Sequence, residues 1–423
     1  DYFDPQSGQL NTATTTRPAG STLKPFVFAQ AIDQGTLTPA WVLADVPRHF
    51  GNQAPVNFSG SFMGLVSAEE ALILSLNLPA LTLAGQVGLP RFWGKLHQLG
   101  LASLDRPAEF YGLGLALGNG SVSLLELANA YACVARGGAW RPCRPLVEQG
   151  PDDGAGRRVF SEGACWMVSE MLSGDARARD AVGHVAEARV PRFAWKTGTS
   201  AGFRDAWTVA WNPEWVVAVW CGDKRGWRGP ETRVGKQVAA PLAWQLVRDL
   251  YPTGSGPWYA RPATVIDRTV CRESGRVAGA LCTDTRQDVA LAGCSSWAIC
   301  PVHVRDAAGA VQTVWPPEVA AGLQMLSANP SSGAATNTAV SLAIAAPATG
   351  TRIHVVDGIA NQQVVFKVTG AATGETLYWF RNDRFIGVSA APAPFFWTPE
   401  RGRSRFVVSS VSGAADSVGI AVE

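Results

Sequence analysis

Ser21 and Lys24 are the only Ser-x-x-Lys pair of the chain, and Lys196-Thr197-Gly198-Thr199 is its only Lys-Thr-Gly run. A serine hydroxyl is a poor nucleophile at neutral pH and needs a neighbour to take its proton; a lysine does so only when burial or nearby positive charge disfavours its charged form. On a helix, residues three apart share a face, so this spacing sets the hydroxyl beside the amine. The chemistry implied is acyl transfer through a serine ester. The pair alone is weak, since about one or two such matches are expected by chance at this length. The Lys-Thr-Gly-Thr run is rarer, and the order of the two segments is what joins them.

The elements needed to position these groups are legible around them. After Lys24 the chain runs Pro25, Phe26, Val27, Phe28, Ala29, Ala31, Ile32, apolar on nearly every side, and ends near Gly35, which predicts a buried helix with a glycine C-cap. Gly20 lets the chain turn in, and Pro25 falls in the first turn, where proline is tolerated. Trp195 to Thr199 leads into Trp207 to Trp211 and Trp215 to Trp220, with Asn212-Pro213-Glu214 as the turn, predicting two antiparallel strands after the lysine strand. Between the two motifs, Ser67-Ala68-Glu69-Glu70 is a capping box opening an apolar helix that ends at Ser75-Leu76-Asn77, and Pro79 can start the next. A second Ser-x-Asn, Ser327-Ala328-Asn329, lies in a Gly/Ser/Pro-rich stretch. Position alone selects the first. Further helices are predicted from the capping box at Ser123 to Gly137-Gly138, from Ser161 to Leu172, and from Val238 to Tyr251. The glycine-rich run from Tyr111 to Asn119 reads either as cleft lining or as a buried loop.

Ser21-x-x-Lys24, Ser75-x-Asn77 and Lys196-Thr197-Gly198-Thr199, in that order, resemble the three motifs of penicillin-binding proteins and serine β-lactamases. The runs Arg17 to Pro25 and Lys196 to Ser200, followed by Arg204-Asp205-Ala206-Trp207, resemble the transpeptidase domain of class A penicillin-binding proteins, and the C-terminal part resembles the 1C-type subgroup. The resemblance implies an α/β multidomain fold. A penicillin-binding/β-lactamase-like transpeptidase, with an antiparallel five-stranded sheet and helices on both sides, is followed by an immunoglobulin-like β-sandwich. It also implies a peptidoglycan DD-transpeptidase, inhibited covalently by β-lactams. Ser21 would be the nucleophile, Lys24 its base, Ser75 the proton relay to the leaving amine and Lys196 its electrostatic partner. Asn77, Thr197, Gly198 and Thr199 would bind substrate, and the backbone N–H groups of Ser21 and Thr199 would form the oxyanion hole. The alternative is a penicillin-sensing or scaffolding protein with weak DD-carboxypeptidase activity, for which the family implies bacterial α2-macroglobulin-like proteins or division proteins as partners. No glutamate is placed as in the class A β-lactamases that hydrolyse the acyl-enzyme; Glu69 and Glu70 read as helix-capping charges. No histidine has the spacing of a Ser-His-Asp triad.

Composition bounds these readings. A hydrophobic content of 47% against 17% charged residues is ample for large cores, and 423 residues predict two or three domains. A net charge of +2 without basic clusters excludes an electrostatic case for nucleic acid. No stretch has the apolar length of a membrane span. The resemblance implies a periplasmic protein anchored to the inner membrane in its full length, with a glycosyltransferase domain ahead of the transpeptidase, and upstream sequence that completes the sheet. No cofactor is called for.

Boundaries are placed at 1–256 for the transpeptidase domain, 257–335 for a loop-like, cysteine-containing linker and 336–423 for the C-terminal module. Cys133, Cys143, Cys165 and Cys221 are scattered, as buried small hydrophobes are. Cys271, Cys282, Cys294 and Cys300 cluster; four permit three disulfide pairings, of which 271–282 with 294–300 is favoured. Zinc, with His303 nearby, is the competitor, disfavoured because no Cys-x-x-Cys occurs, and no metal ligand is assigned. Seven short alternating runs beyond Arg352, namely 352–356, 363–368, 376–380, 385–388, 395–397, 404–410 and 417–422, predict the sandwich, in which no catalytic constellation appears.

Overall fold

The computed structural model describes residues 8–48, 50, 55–144, 156–174, 191–328, 342–355, 362–371, 374–382, 384–410 and 415–423. The chain divides into two compact units, 1–44 with 65–314 and 45–64 with 315–423.

The first unit is built on an antiparallel sheet of Ala194–Thr199, Asp205–Trp211 and Val216–Gly222, in that spatial order. The central strand is buried at every residue because helices cover both faces. On one face Trp211 packs its ring 4.9 Å from Tyr131 of the helix Leu124–Ala135. On the other, Trp195 meets Trp244 of the helix Ala240–Leu250 at 5.9 Å. Asn212 Oδ1 accepts from the N–H groups of Glu214 and Trp215, the side-chain turn that reverses the second strand into the third. The described residues supply three strands here; the resemblance implies five in a sheet completed by upstream sequence. Residues 8–16 carry polar turns, and the Arg17–Pro18 bridge pairs with Ser121–Val122 rather than with the sheet.

The predicted helices form at Lys24–Asp33, Ala68–Ile73, Asn77–Val87, Leu124–Ala135 and Glu162–Met171. Ser67 and Ser123 both make complete capping boxes, and Ser161 caps through Ala164 N. Of the scattered cysteines only Cys133 and Cys165 are buried; desolvation pushes the Cys133 thiol up to about 12. Cys143 is exposed and Cys221 half-buried. His97 is structural, bonded to the Leu104 carbonyl and packed on Trp93, while His184 lies outside the described residues.

The expected loop-like stretch after residue 257 instead folds, up to Val314, as part of this first unit. Val265–Cys271 pairs with Thr285–Leu291 over seven residues, and His303–Arg305 pairs with Val311–Thr313. Arg268 and Asp288 face each other across the longer hairpin as a fully buried ion pair, Arg268 also donating to Thr38 Oγ1 and the Ser296 carbonyl. Asp288 in turn accepts from Ala40 N at 3.0 Å. The buried charges are paired and hydrogen-bonded on each side, the condition under which burial is tolerated.

In the second unit, a three-stranded sheet, Ala343–Ala346, Val364–Thr369 and Phe395–Trp397, and a five-stranded sheet form the sandwich. The larger sheet runs Arg352–Ile353, Ala415–Val422, Gly402–Ser410, Thr376–Arg381, Arg384–Ala390. Phe366, Trp379, Phe406 and Ile420 point inward by strand alternation and make its core. The seven predicted runs each carry a strand, the first shortened to Arg352–Ile353 with Val356 outside the described residues; the eighth strand, Ala343–Ala346, was missed because an alanine-rich segment carries no alternating hydrophobicity. The described residues of 45–64 fall in this unit too, where the Asp45 carboxylate accepts from Asn57 Nδ2 and Met63 N. The second Ser-x-Asn falls at the end of the helix Pro317–Ala328, its Asn329 outside the described residues.

Candidate active site

Ser21 lies in a 3-10 turn, Gly20–Leu23, that runs directly into the helix Lys24–Asp33. Residues three apart share a face in such a turn, which sets Lys24, the first residue of the helix, on the side of Ser21. The turn is held from three sides. Gly20 N donates to the Gly118 carbonyl and Ala19 N to that of Gly120, Trp207 Nε1 donates to the Pro18 carbonyl, and Tyr131 OH to that of Thr22. The run Tyr111 to Asn119 therefore backs the serine turn. Gly118, at φ +79°, is required there: a Cβ would lie 1.9 Å from the Gly20 carbonyl oxygen.

The lysine strand lies against the same turn. A Cβ on Gly198 would meet Thr22 Cγ2 at 2.7 Å and the Ala19 carbonyl at 2.9 Å, so only glycine lets the strand approach so closely. The Cβ position of Gly20 is 3.0 Å from Thr199 N, which brings the backbone before Ser21 beside the N–H named for the oxyanion hole. Alternation buries Lys196 and Gly198 and leaves Thr197 and Thr199 half-exposed on the other face. Thr199 Oγ1 accepts from Gly235 N at 3.1 Å, steadying the strand's end.

Ser75 joins the two lysines. Lys196 Nζ donates to Ser75 Oγ at 2.9 Å and to the Thr197 carbonyl at 2.7 Å. Lys24 Nζ lies 3.4 Å from the same hydroxyl and donates to Asn77 Oδ1 at 2.7 Å and to the Ser75 carbonyl. Both lysines are fully buried. Ser75 takes a left-handed conformation, φ 58°, at the corner between Ala68–Ile73 and Asn77–Val87. That conformation is uncommon for a residue with a Cβ, and it is what turns both Ser75 and Asn77 towards Lys24. The structure thus links Lys24, Ser75, Asn77 and Lys196 by side-chain bonds, with Thr197 joined through its carbonyl, and sets the backbone of Gly198 and Thr199 against the turn that carries Ser21.

Asp205, in the run that follows Ser200, has a structural role that its place in the motif does not announce. Its buried carboxylate accepts from Ser200 Oγ at 2.6 Å and from Trp220 Nε1 at 3.0 Å, and its N–H returns a bond to Ser200 Oγ. It fixes the residue after Thr199. A charged residue between two strand-forming runs was the available signal. Glu70 acts as expected, its carboxylate accepting from Ser67 N at 2.8 Å, and that backbone bond holds its carboxyl below the ordinary carboxylate value.

The clustered cysteines depart from expectation. All are unbridged, and Cys294, assigned to Cys300, instead donates from Sγ to the Asp33 carbonyl at 3.1 Å. Cys271, Cys282, Cys300 and His303 place their donor atoms within 4.8 Å of one another. The overlooked signal is Cys300-Pro301-Val302-His303, a two-ligand spacing that a search for Cys-x-x-Cys passes over.

Two family profiles match the sequence: penicillin-binding protein transpeptidase domain over residues 3–248, and penicillin-binding protein C-terminus family over 331–420. The chain is 34% identical over 279 residues to penicillin-binding protein 1C of Escherichia coli, covering 64% of this chain and 35% of that protein. It is 27% identical to penicillin-binding protein 1A/1B of Bacillus subtilis, covering 62% and 31%. The chain spans about a third of the length of these relatives. Among solved structures, penicillin-binding protein 1A of Haemophilus influenzae superposes with a TM-score of 0.55 at 20% identity, over 68% of this chain and 50% of that one, a likeness of fold.

Proposed function

The chain belongs to the penicillin-binding protein transpeptidase family, and from that premise we propose that it is a serine-type D-Ala-D-Ala transpeptidase that cross-links peptidoglycan stem peptides and is acylated by β-lactams. The observation that carries this reading is one hydroxyl, Ser75, held between two buried amines, with the serine turn packed on the strand that bears the second amine. Ser21 Oγ attacks the carbonyl of the penultimate D-alanine while Lys24 takes its proton. The charge that develops on the carbonyl oxygen is met by the backbone N–H groups of Ser21 and Thr199. As the C–N bond breaks, Ser75 gives its proton to the departing amine of the terminal D-alanine and recovers one from Lys24. Thr197 and Thr199, on the open face of the strand, suit the terminal carboxylate, and Lys196 adds positive charge. Asn77 holds the peptide backbone. An amine from a neighbouring stem peptide then attacks the ester, forming the cross-link and freeing Ser21.

Such a substrate places the protein in the periplasm. No helix among the described residues is long and apolar enough to cross a membrane. The test is intact-mass analysis after incubation with a labelled penicillin, then turnover of a stem peptide with added acceptor amine. An adduct on Ser21, absent in Ser21→Ala, with amine-dependent release of D-alanine, supports the proposal. An adduct without turnover favours a penicillin-sensing role instead. No adduct, or one that persists in Ser21→Ala, refutes the assignment.

A further inference from the structure

We propose that Cys271, Cys282, Cys300 and His303 form a closed tetrahedral Zn2+ site. His303 Nδ1 lies 3.7 Å from Cys271 Sγ, 3.3 Å from Cys282 Sγ and 3.5 Å from Cys300 Sγ. With Zn–S at about 2.3 Å and Zn–N at about 2.0–2.1 Å, a tetrahedron has N···S edges of about 3.6 Å. The three separations bracket that value. Three sulfurs converging on one nitrogen is not the arrangement of a disulfide, which would draw two sulfurs together and leave the third thiol and the imidazole without a shared partner. The nitrogen's protonation fits as well. His303 Nε2 faces Glu273 Oε1 at 3.3 Å, and Glu273 is itself held by Thr313 Oγ1 at 3.1 Å. With the proton on Nε2, on the side of that carboxylate, the Nδ1 lone pair is left for a metal, as in the carboxylate–histidine arrangement usual behind zinc ligands.

The backbone builds the site from three separate segments. Cys271 ends the strand Val265–Cys271, and its carbonyl accepts from Gly275 N in a turn that Gly275 closes at φ +67°. Cys282 follows a turn closed by its own N–H to the Gly279 carbonyl, and Gly279 N returns a bond to Cys282 Sγ at 3.4 Å. Cys300 N donates to the Val277 carbonyl, and His303 opens the strand His303–Arg305. Four ligands from the protein leave no open coordination position, so the site is structural, joining the two hairpins.

The experiment uses the whole chain purified without metal-affinity steps. Elemental analysis is expected to find about one zinc per chain, with Co2+ substitution giving the visible absorption of a tetrahedral thiolate site. Native thiol titration is expected to show Cys271, Cys282 and Cys300 protected until a chelator removes the metal. Cys300→Ser and His303→Asn lose the zinc, whereas Cys294→Ser keeps it; should the first two fail to fold, the metal content of the parent chain and of Cys294→Ser decides. A chain without stoichiometric zinc, whether its mass is lower by two hydrogens from a disulfide or unchanged, overturns the proposal. So does iron in place of zinc, or zinc retained by both ligand variants.

Discussion

Replacing Ser75 separates its two contributions, the hydroxyl and the backbone corner. Ser75→Ala removes the group that accepts from Lys196 at 2.9 Å and lies 3.4 Å from Lys24. Each lysine keeps another partner, Thr197 O for one and Asn77 Oδ1 for the other, so neither amine is orphaned. The loss should therefore fall on proton transfer. Positioned acid–base groups contribute about 10²–10⁴-fold, or roughly 3–5 kcal/mol of barrier at 1.36 kcal/mol per decade. Ser75→Gly makes the same chemical deletion but removes the Cβ from a residue at φ 58°. Left-handed strain is worth about 1–2 kcal/mol, and glycine's extra unfolded-state entropy returns about 0.5–1 kcal/mol. The glycine variant should be as stable as the alanine variant or more so, by up to about 1.5 kcal/mol. The assays are the second-order acylation rate with a reporter penicillin and urea unfolding of the same samples. Both variants should acylate equally slowly, with the glycine variant no less stable than the alanine variant. Acylation within about threefold of the parent, roughly 0.7 kcal/mol, would refute the relay. Rescue by glycine but not alanine would show that the corner, rather than the hydroxyl, is what chemistry needs.

Asp205→Asn gives the carboxylate's place to an amide that cannot accept from Ser200 and Trp220 with both of its polar atoms. Hydrogen bonds to a buried charge are worth about 1.5–3 kcal/mol, so unfolding should show a loss of that order, with a lower acylation rate because Ser200 no longer fixes the end of the Thr199 strand. Asp33 has its carboxyl pushed above the ordinary 3.8, chiefly by burial, against the lowering effect of its bonds from Ser161. A raised folded value means that the folded state holds the proton more tightly, so this group's contribution to stability falls as pH rises from 3.8 through the folded value. Asp33→Asn keeps an oxygen for Ser161 N and never ionises. Its unfolding free energy should exceed the parent's at pH 7 and the gap should close below 3.8; a gap independent of pH would count against desolvation as the cause.

The site was legible in the sequence to the extent that it is written in short-range spacing. Ser21 and Lys24 are one turn apart, Lys196 to Thr199 are one strand, and the capping boxes at Ser67 and Ser123 announce their helices locally. The sandwich strands were legible wherever bulky and polar residues alternate. What escaped depends on contacts distant in sequence. Asp205 gains its role from Trp220, across a hairpin, and Gly118 from Gly20, nearly a hundred residues upstream. The cysteine region read as a linker because its longer strands carry arginine and aspartate in place of a clean apolar alternation; Arg268 and Asp288 look solvent-facing until Thr38 and Ala40 are seen to cover them. The disulfide pairing failed because cysteine spacing alone does not say which thiols share a histidine.

Those distant contacts bear on the site itself. Ala68–Ile73 has only six residues, too short to be stable by its own hydrogen bonds, yet it must deliver Ser75 in a strained conformation between two amines. Its start is tied down beyond its own capping box: Ala68 N donates to the Trp41 carbonyl and Glu69 N to that of Pro39. The segment that offers those carbonyls is gripped from its other side by the cysteine hairpins. Val42 N donates to the Ser274 carbonyl, Ala40 N to Asp288, and the Arg276 guanidinium stacks 3.4 Å over Trp41. Ser274 lies three residues beyond Cys271, within the turn that carries Glu273. The order of the cysteine cluster thus reaches Ser75 through one strand segment and one short helix, which is a physical reason for a small cysteine-rich region to be packed onto a transpeptidase core.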